Sequence, residues 1–318
     1  MCQIESELKV QLFFVMDENF LLHRSRAMQL LGRMKEAGKS CELSVFTSAN
    51  AIRKYSMHEL VELGVSWLWM GLESPHSSYC KLEGSDMMQL TRELRENGIR
   101  VQGSTIIGLE HHTPANMAEE IEHAIDHQTD FHQFMLYTPV PGTPLYKEMS
   151  EQGRLLEGID PADIHGQFKF NFRHATISRD DSRMFLDWAF WRDFERNGPS
   201  LYRICRTMLT GWQRYKGYPD PRVRERFDRE MKKLSSTYNA ALWAMEWQFR
   251  KVNRSMSDQI HSLRREVEKE FPMVARVTAA VLGLALLWFS RREEKRLAAG
   301  CTYEPLMVVE RTHWAHAL

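Results

Sequence analysis

Residues 100–114 read RVQGSTIIGLEHHTP, and the way this stretch ends decides the fold. Val101, Ile106 and Ile107 belong to a short apolar run with the β-branched character of a buried strand. The run closes at Ile107-Gly108-Leu109-Glu110. Thr113-Pro114 then has the form of a helix start, ahead of a face made by Met117, Ile121, Ala124 and Ile125. This is one βα unit, and its grammar recurs along the first half of the chain.

Strands are expected at Gln11–Met16, Leu43–Phe46, Val65–Met70 and Phe131–Tyr137. They end at Asp17-Glu18-Asn19-Phe20, Thr47-Ser48-Ala49-Asn50, Gly71-Leu72-Glu73-Ser74 and Tyr137-Thr138-Pro139. Between them, Ala27, Leu30, Leu31 and Met34 share a helical face that stops at Gly38, and Ser56-Met57-His58-Glu59 forms a capping box. A further helix runs from about Ser85 to Gly98. Alternating strands and amphipathic helices predict an α/β fold with a parallel sheet, open or closed. In such arrays ligand-binding groups gather at the C-terminal ends of the strands.

Beyond Gly153 the pattern changes. Phe168, Phe170 and Phe172 alternate, which predicts one more strand over Gln167–Arg173. From Ser178 the chain is helical, broken at Gly198-Pro199 and again between Gly217 and Pro221. The expected organisation is a partial barrel over 1–154, a barrel-closing segment over 155–198 and a helical extension over 199–318.

The formal net charge is zero, yet residues 201–300 hold 21 Lys/Arg against 11 Asp/Glu. Either solvated helix faces or contact with an anionic surface accounts for that bias. The cysteines at 2, 41, 80, 205 and 301 form no CxxC pair, which suits reduced thiols and a cytoplasmic setting. No GxGxxG, GxSxG, HExxH or GxxxxGK[ST] motif occurs, so the familiar dinucleotide, hydrolase, zincin and phosphate-loop chemistries lack their signatures. No nucleic-acid partner is expected.

Single motifs leave alternatives open. Asp17 and Glu18 suit an ammonium group or a cation, or merely cap the next helix. Gly71 lets a backbone approach a ligand, with Glu73 facing the mouth of the array, or forms an ordinary turn. Gly103–Gly108 suits a flat adenine ring or a close helix–strand crossing, and the proline-fixed Tyr137–Pro144 loop walls a nucleobase or turns the chain. His111, His112 and His132 could join Asp17 and Glu73 around a metal for assisted hydrolysis, but surface or supporting histidines are expected and no metal ligand is assigned.

Together, FFVMDENF, MGLESP, GSTIIGLEHHT and FMLYTPVPGTPLY resemble the radical S-adenosylmethionine superfamily, in its cobalamin-binding type, in this order and spacing. The resemblance covers about Gln11 to Arg154 and implies a (β/α) barrel that cleaves S-adenosylmethionine at a [4Fe–4S] cluster, with cobalamin as a further cofactor. It would set Asp17 and Glu18 near the methionine amino group and Glu73 and Ser74 near the ribose and methionine. Ile107, Gly108, Tyr137 and Thr138 would border the adenine. The family's first strand, its CxxxCxxC cluster loop and its cobalamin domain have no counterpart here. The expectation is therefore a partial barrel lacking its first strand, from a truncated or split gene, with cluster ligands and cobalamin domain outside this chain. By itself such a chain is expected to be inactive. The alternative is a non-catalytic barrel remnant that binds a nucleotide-like ligand or a protein partner. The substrate, a small molecule, is not readable.

Met273–Ser290 is the one long apolar run, slightly short of the ~20 residues a spanning helix needs. A buried or interfacial helix is expected there. With Trp212, Tyr215, Tyr218, Trp243, Trp247 and Trp288 in the same basic region, peripheral membrane contact is the second option to a plain helical cap.

Overall fold

The computed structural model describes residues 1–72, 86–271 and 273–300. A short helix, α1 (Cys2–Leu8), precedes the first strand and has no counterpart in the expected pattern. Then come β1 (Leu12–Val15), α2 (Arg24–Glu36), β2 (Glu42–Phe46), α3 (Ala49–Ile52), α4 (Met57–Glu62) and β3 (Val65–Gly71). The repeat continues with α5 (Met87–Glu96), β4 (Arg100–Ile107), α6 (Met117–Asp126), β5 (Phe131–Leu136) and α7 (Pro144–Glu151). All five strands pair parallel in the order β1-β2-β3-β4-β5, the α/β arrangement the alternation predicts.

Local chemistry sets the element ends. Ser56 and Glu59 close both hydrogen bonds of the capping box on α4. Gly64, at φ 89°, turns the chain into β3, and a Cβ there would stand 2.1 Å from the Cys41 carbonyl oxygen. Two expected boundaries move. Thr113 and Asn116 bond reciprocally, backbone to side chain, so α6 starts after Asn116 and Pro114 lies in the preceding turn. Thr143 caps α7 and Pro144 is its first residue, so the proline loop ends in a helix.

Side chains alternate across the sheet. Leu43, Val45, Val65, Leu68, Met70 and Val101 face the helices in one apolar core. A second core gathers Ile107, Met117, Ile121, Phe134, Phe170 and Phe172. The opposite sheet face carries Phe14, Phe46 and Trp69 in a tilted aromatic row, with Phe14 still 49% exposed. Parallel sheets are normally covered on both faces, so this face is unusually open.

The alternating phenylalanines form no strand of the sheet. Among the described residues, Phe172 makes one antiparallel bridge with Leu155, and Leu136 donates to the Gly166 carbonyl. Phe170 and Phe172 are drawn into the second core, which overrides their strand-like alternation. The segment touches the β5 edge without closing a barrel.

The helices α8 (Arg179–Asn197), α9 (Ser200–Tyr215) and α10 (Pro221–Lys233) break at the expected glycine and proline positions. They belong to the same compact unit as the sheet, Met1–Tyr238. Buried charge holds them there. Arg203, in α9, forms a two-point ion pair with Asp193 and donates to the Thr129 carbonyl. Arg100, at the start of β4, reaches Glu230 of α10 at 3.1 Å, while Tyr215 and Phe227 complete the first core. Much of the basic bias is thus spent on internal pairs.

The second unit begins at Asn239 and contains α11 (Asn239–Phe249), α12 (Arg254–Lys269) and α13 (Met273–Ala298). Glu246 accepts from Arg250 and Arg264, which ties α11 to α12. Gly283 of α13 sits against Trp243, where a Cβ would meet the ring at 2.7 Å. Ala279 and Leu287 are buried, but Val277, Val281, Leu284, Trp288 and Phe289 are all more than half exposed. The apolar run is therefore not a buried helix. Among the described residues no helix is long and apolar enough to cross a membrane.

Candidate functional site

The ends of β4 and β5 meet where the Tyr137 amide donates to the Ile107 carbonyl at 2.8 Å. The Leu72 amide, just past β3, donates to Ser104 in β4 at 2.8 Å. These ties frame a cleft of about 250 Å³ whose wall includes Gly71, Ser104, Ile107, His112, Glu120 and Tyr137. It lies at the C-terminal strand ends, where an α/β sheet places its ligands.

The expected site residues divide into groups. Ile107 and Tyr137 line the cleft. Gly108 adopts φ 87°, and the space beside its Cα is filled by Phe170, whose Cζ would be 2.2 Å from an added Cβ. The missing side chain thus makes room for a core ring. Thr138 donates its hydroxyl to the Leu136 carbonyl and fixes the start of the proline loop. Asp17 and Glu18 follow β1, three strands from β4 and so about 14 Å away across the sheet. Asp17 accepts from the Asn19 amide and from Arg26 at 2.7 Å. Its pKa is lowered chiefly by the Asn19 hydrogen bond, with Arg26 assisting. Glu18 is exposed. Glu73 and Ser74 lie outside the described residues.

The histidines separate as well. His132 is buried on β5, hydrogen-bonded to Thr105 at 2.9 Å and stacked on Phe134, and burial pushes its pKa down to about 3. It supports the sheet. His112, 1% exposed, accepts at Nδ1 from the Gly108 and Leu109 amides at 3.0 and 3.1 Å. Burial, with His111 and His174 nearby, lowers its pKa to about 4, so the ring is neutral at physiological pH.

Three residues of the region had no site role in the sequence reading. Asn19 joins the ends of β1 and β2 through Ser48 and Thr47. Glu120 is 5% exposed on the apolar face of α6, and its Oε1 has no hydrogen-bond partner among the described residues. A carboxylate on the Met117, Ile121, Ala124 stripe is the signal that could have marked it. Phe170 cannot be linked to Gly108 from spacing alone.

A cluster needs convergent thiolates. The described cysteines with placed side chains, Cys41 and Cys205, are both buried, and burial pushes the Cys205 thiol well up. Neither fits a cluster ligand.

No family model matches the chain. Among curated proteins it is 27% identical over 149 residues to the bacteriochlorophyllide d C-12(1)-methyltransferase of Chlorobaculum tepidum, covering 45% of this chain and 32% of that one. The C-8(2)-methyltransferase of the same organism is 26% identical over 183 residues, covering 53% and 37%. The hopanoid C-2 methylase of Rhodopseudomonas palustris is 25% identical over 164 residues, covering 48% and 31%. The chain spans about a third of the length of these relatives. The solved structure of TsrM, a radical S-adenosylmethionine methyltransferase from Kitasatospora setae with cobalamin and a [4Fe–4S] cluster bound, gives a TM-score of 0.45. The identity is 16%, over 73% of this chain and 54% of that one, too distant to bear on fold or site. Over about half its length the chain is thus similar to curated methyltransferases, and its strand-end motifs resemble the radical S-adenosylmethionine superfamily in its cobalamin-binding type.

Proposed function

We propose that this chain supplies the S-adenosylmethionine-binding strand ends of a radical enzyme that uses a [4Fe–4S] cluster and cobalamin, with methyl transfer as its reaction. The observation that carries the reading is the cleft at the ends of β3, β4 and β5, where Ile107 and Tyr137 of the family-like motifs stand side by side. The cluster would supply an electron to the cofactor, on thiolates other than Cys41 and Cys205. The chain's own part is to hold the adenosyl group against apolar walls. The curated relatives act on bacteriochlorophyllides and a hopanoid, and a large apolar ring system is the proposed substrate class. The open sheet face with Phe14, Phe46 and Trp69 offers it a surface.

Calorimetric titration with S-adenosylmethionine tests the reading. Saturable one-site binding is expected, and absence of binding to the folded chain would remove it. The second reading, a remnant that binds a nucleotide-like ligand without catalysis, is favoured by the two buried thiols. Both readings expect no stoichiometric cluster on this chain after reconstitution with iron and sulfide, and one lost on mutation of Cys2 or Cys41 would exclude the remnant.

A further inference from the structure

We infer that Glu120 and His112 form a polar edge in the strand-end cleft that reads the donor–acceptor edge of an adenine ring. The inference rests on the adenosyl reading of the same cleft. Both side chains line it, and both are more than nine-tenths buried. Glu120 Oε1, His112 Nε2 and His111 Nε2 are all buried, and none has a hydrogen-bond partner among the described residues. The three residues are neighbours, with one polar side-chain atom of each within 4.8 Å of the others. A buried polar atom left unpaired costs roughly 1–3 kcal/mol, so a group of three calls for something that pairs with them.

A metal ion would match the residue types, but the tautomer of His112 opposes it. Two backbone amides occupy the Nδ1 lone pair, so the neutral ring carries its proton on Nε2. That atom donates, and it has no lone pair for a metal unless the ring becomes an imidazolate. Beside it, the Glu120 carboxylate oxygen can only accept. A donor and an acceptor side by side complement a group that presents an acceptor beside a donor. The adenine edge does so, with the N6 amino group next to a ring nitrogen, by the logic that pairs Asn and Gln with adenine. Leu72, Ile107, Leu109, Met117 and Ile121 supply apolar walls for the ring faces.

The test is calorimetry of the full chain with adenosine and inosine. Inosine replaces the amino group with an oxo acceptor, which would face the Glu120 carboxylate. Adenosine is expected to bind at least about ten-fold more tightly, the scale of one lost buried hydrogen bond with an acceptor facing an acceptor. Glu120→Gln keeps the shape and adds an amide donor, so it should weaken adenosine, strengthen inosine and narrow or reverse the ratio. Thermal melting checks that the variant is folded. Equal affinities in the wild-type chain, or an unchanged ratio in a folded Glu120→Gln, would overturn the inference while leaving the S-adenosylmethionine reading intact. A water trapped between the two side chains gives that second outcome. If neither adenosine nor S-adenosylmethionine binds, both fall together.

Discussion

Gly108 shows how a residue's meaning depends on its neighbour in space. Its place at a strand end suggests room for a ligand, whereas its φ of 87° and the ring of Phe170 make it a packing glycine. Gly108→Ala should therefore destabilise the fold by about 2–4 kcal/mol, from backbone strain and overpacking together. Urea unfolding measures this, and a variant as stable as the parent would contradict the contact. The buried histidines give a second residue-scale expectation. His112 and His132 are held neutral in the folded chain, with pKa values near 4 and 3, while in the unfolded chain they titrate near the ordinary value of 6.5. The unfolded state thus binds more protons below 6.5. Their contribution is fully present above that pH and is lost as pH falls toward the folded values. Melting temperatures should drop between pH 7 and pH 5, and a flat profile there would mean that these rings are not buried as neutral bases.

At the scale of elements, the strands were legible because each is a compact apolar run bounded by turn chemistry, VSWLWM at 65–70 being the plainest. The capping box at Ser56–Glu59 and the break at Gly198-Pro199 were legible for the same reason, since their physics involves only a few adjacent residues. The strand expected at Gln167–Arg173 failed because alternation cannot tell sheet pairing from two rings drawn into a core. The attachment of α9 to α8 was not legible either. It depends on Asp193 holding the buried Arg203 through two hydrogen bonds. Asp193→Ala leaves that guanidinium uncompensated and should cost about 3–5 kcal/mol. Chemical denaturation reads the loss, and a change below about 1 kcal/mol would mean the pair is dispensable.

For the whole molecule, α13 leaves much of its apolar surface uncovered, with Trp288 beside Arg292 at 5.7 Å. We propose that this helix meets an anionic lipid surface, where an aromatic ring settles at headgroup level and nearby basic residues add attraction. Sedimentation with anionic vesicles should carry the chain down at low salt and release it at high salt, with little binding to neutral vesicles. Recovery in the supernatant under all conditions would end that proposal. The sequence by itself determined where the strands lie, the parallel α/β class and the resemblance to a family, because these follow from periodicity and from motifs a few residues long. Only the tertiary structure decided that α8–α10 join the sheet, that Gly108 serves Phe170, and that His112 and Glu120 share a cleft. Those facts rest on pairs such as Arg100 and Glu230, 130 residues apart, which meet only once the chain has folded. Local spacing carries no record of such a meeting, because it is the packing of whole elements that brings the two side chains together.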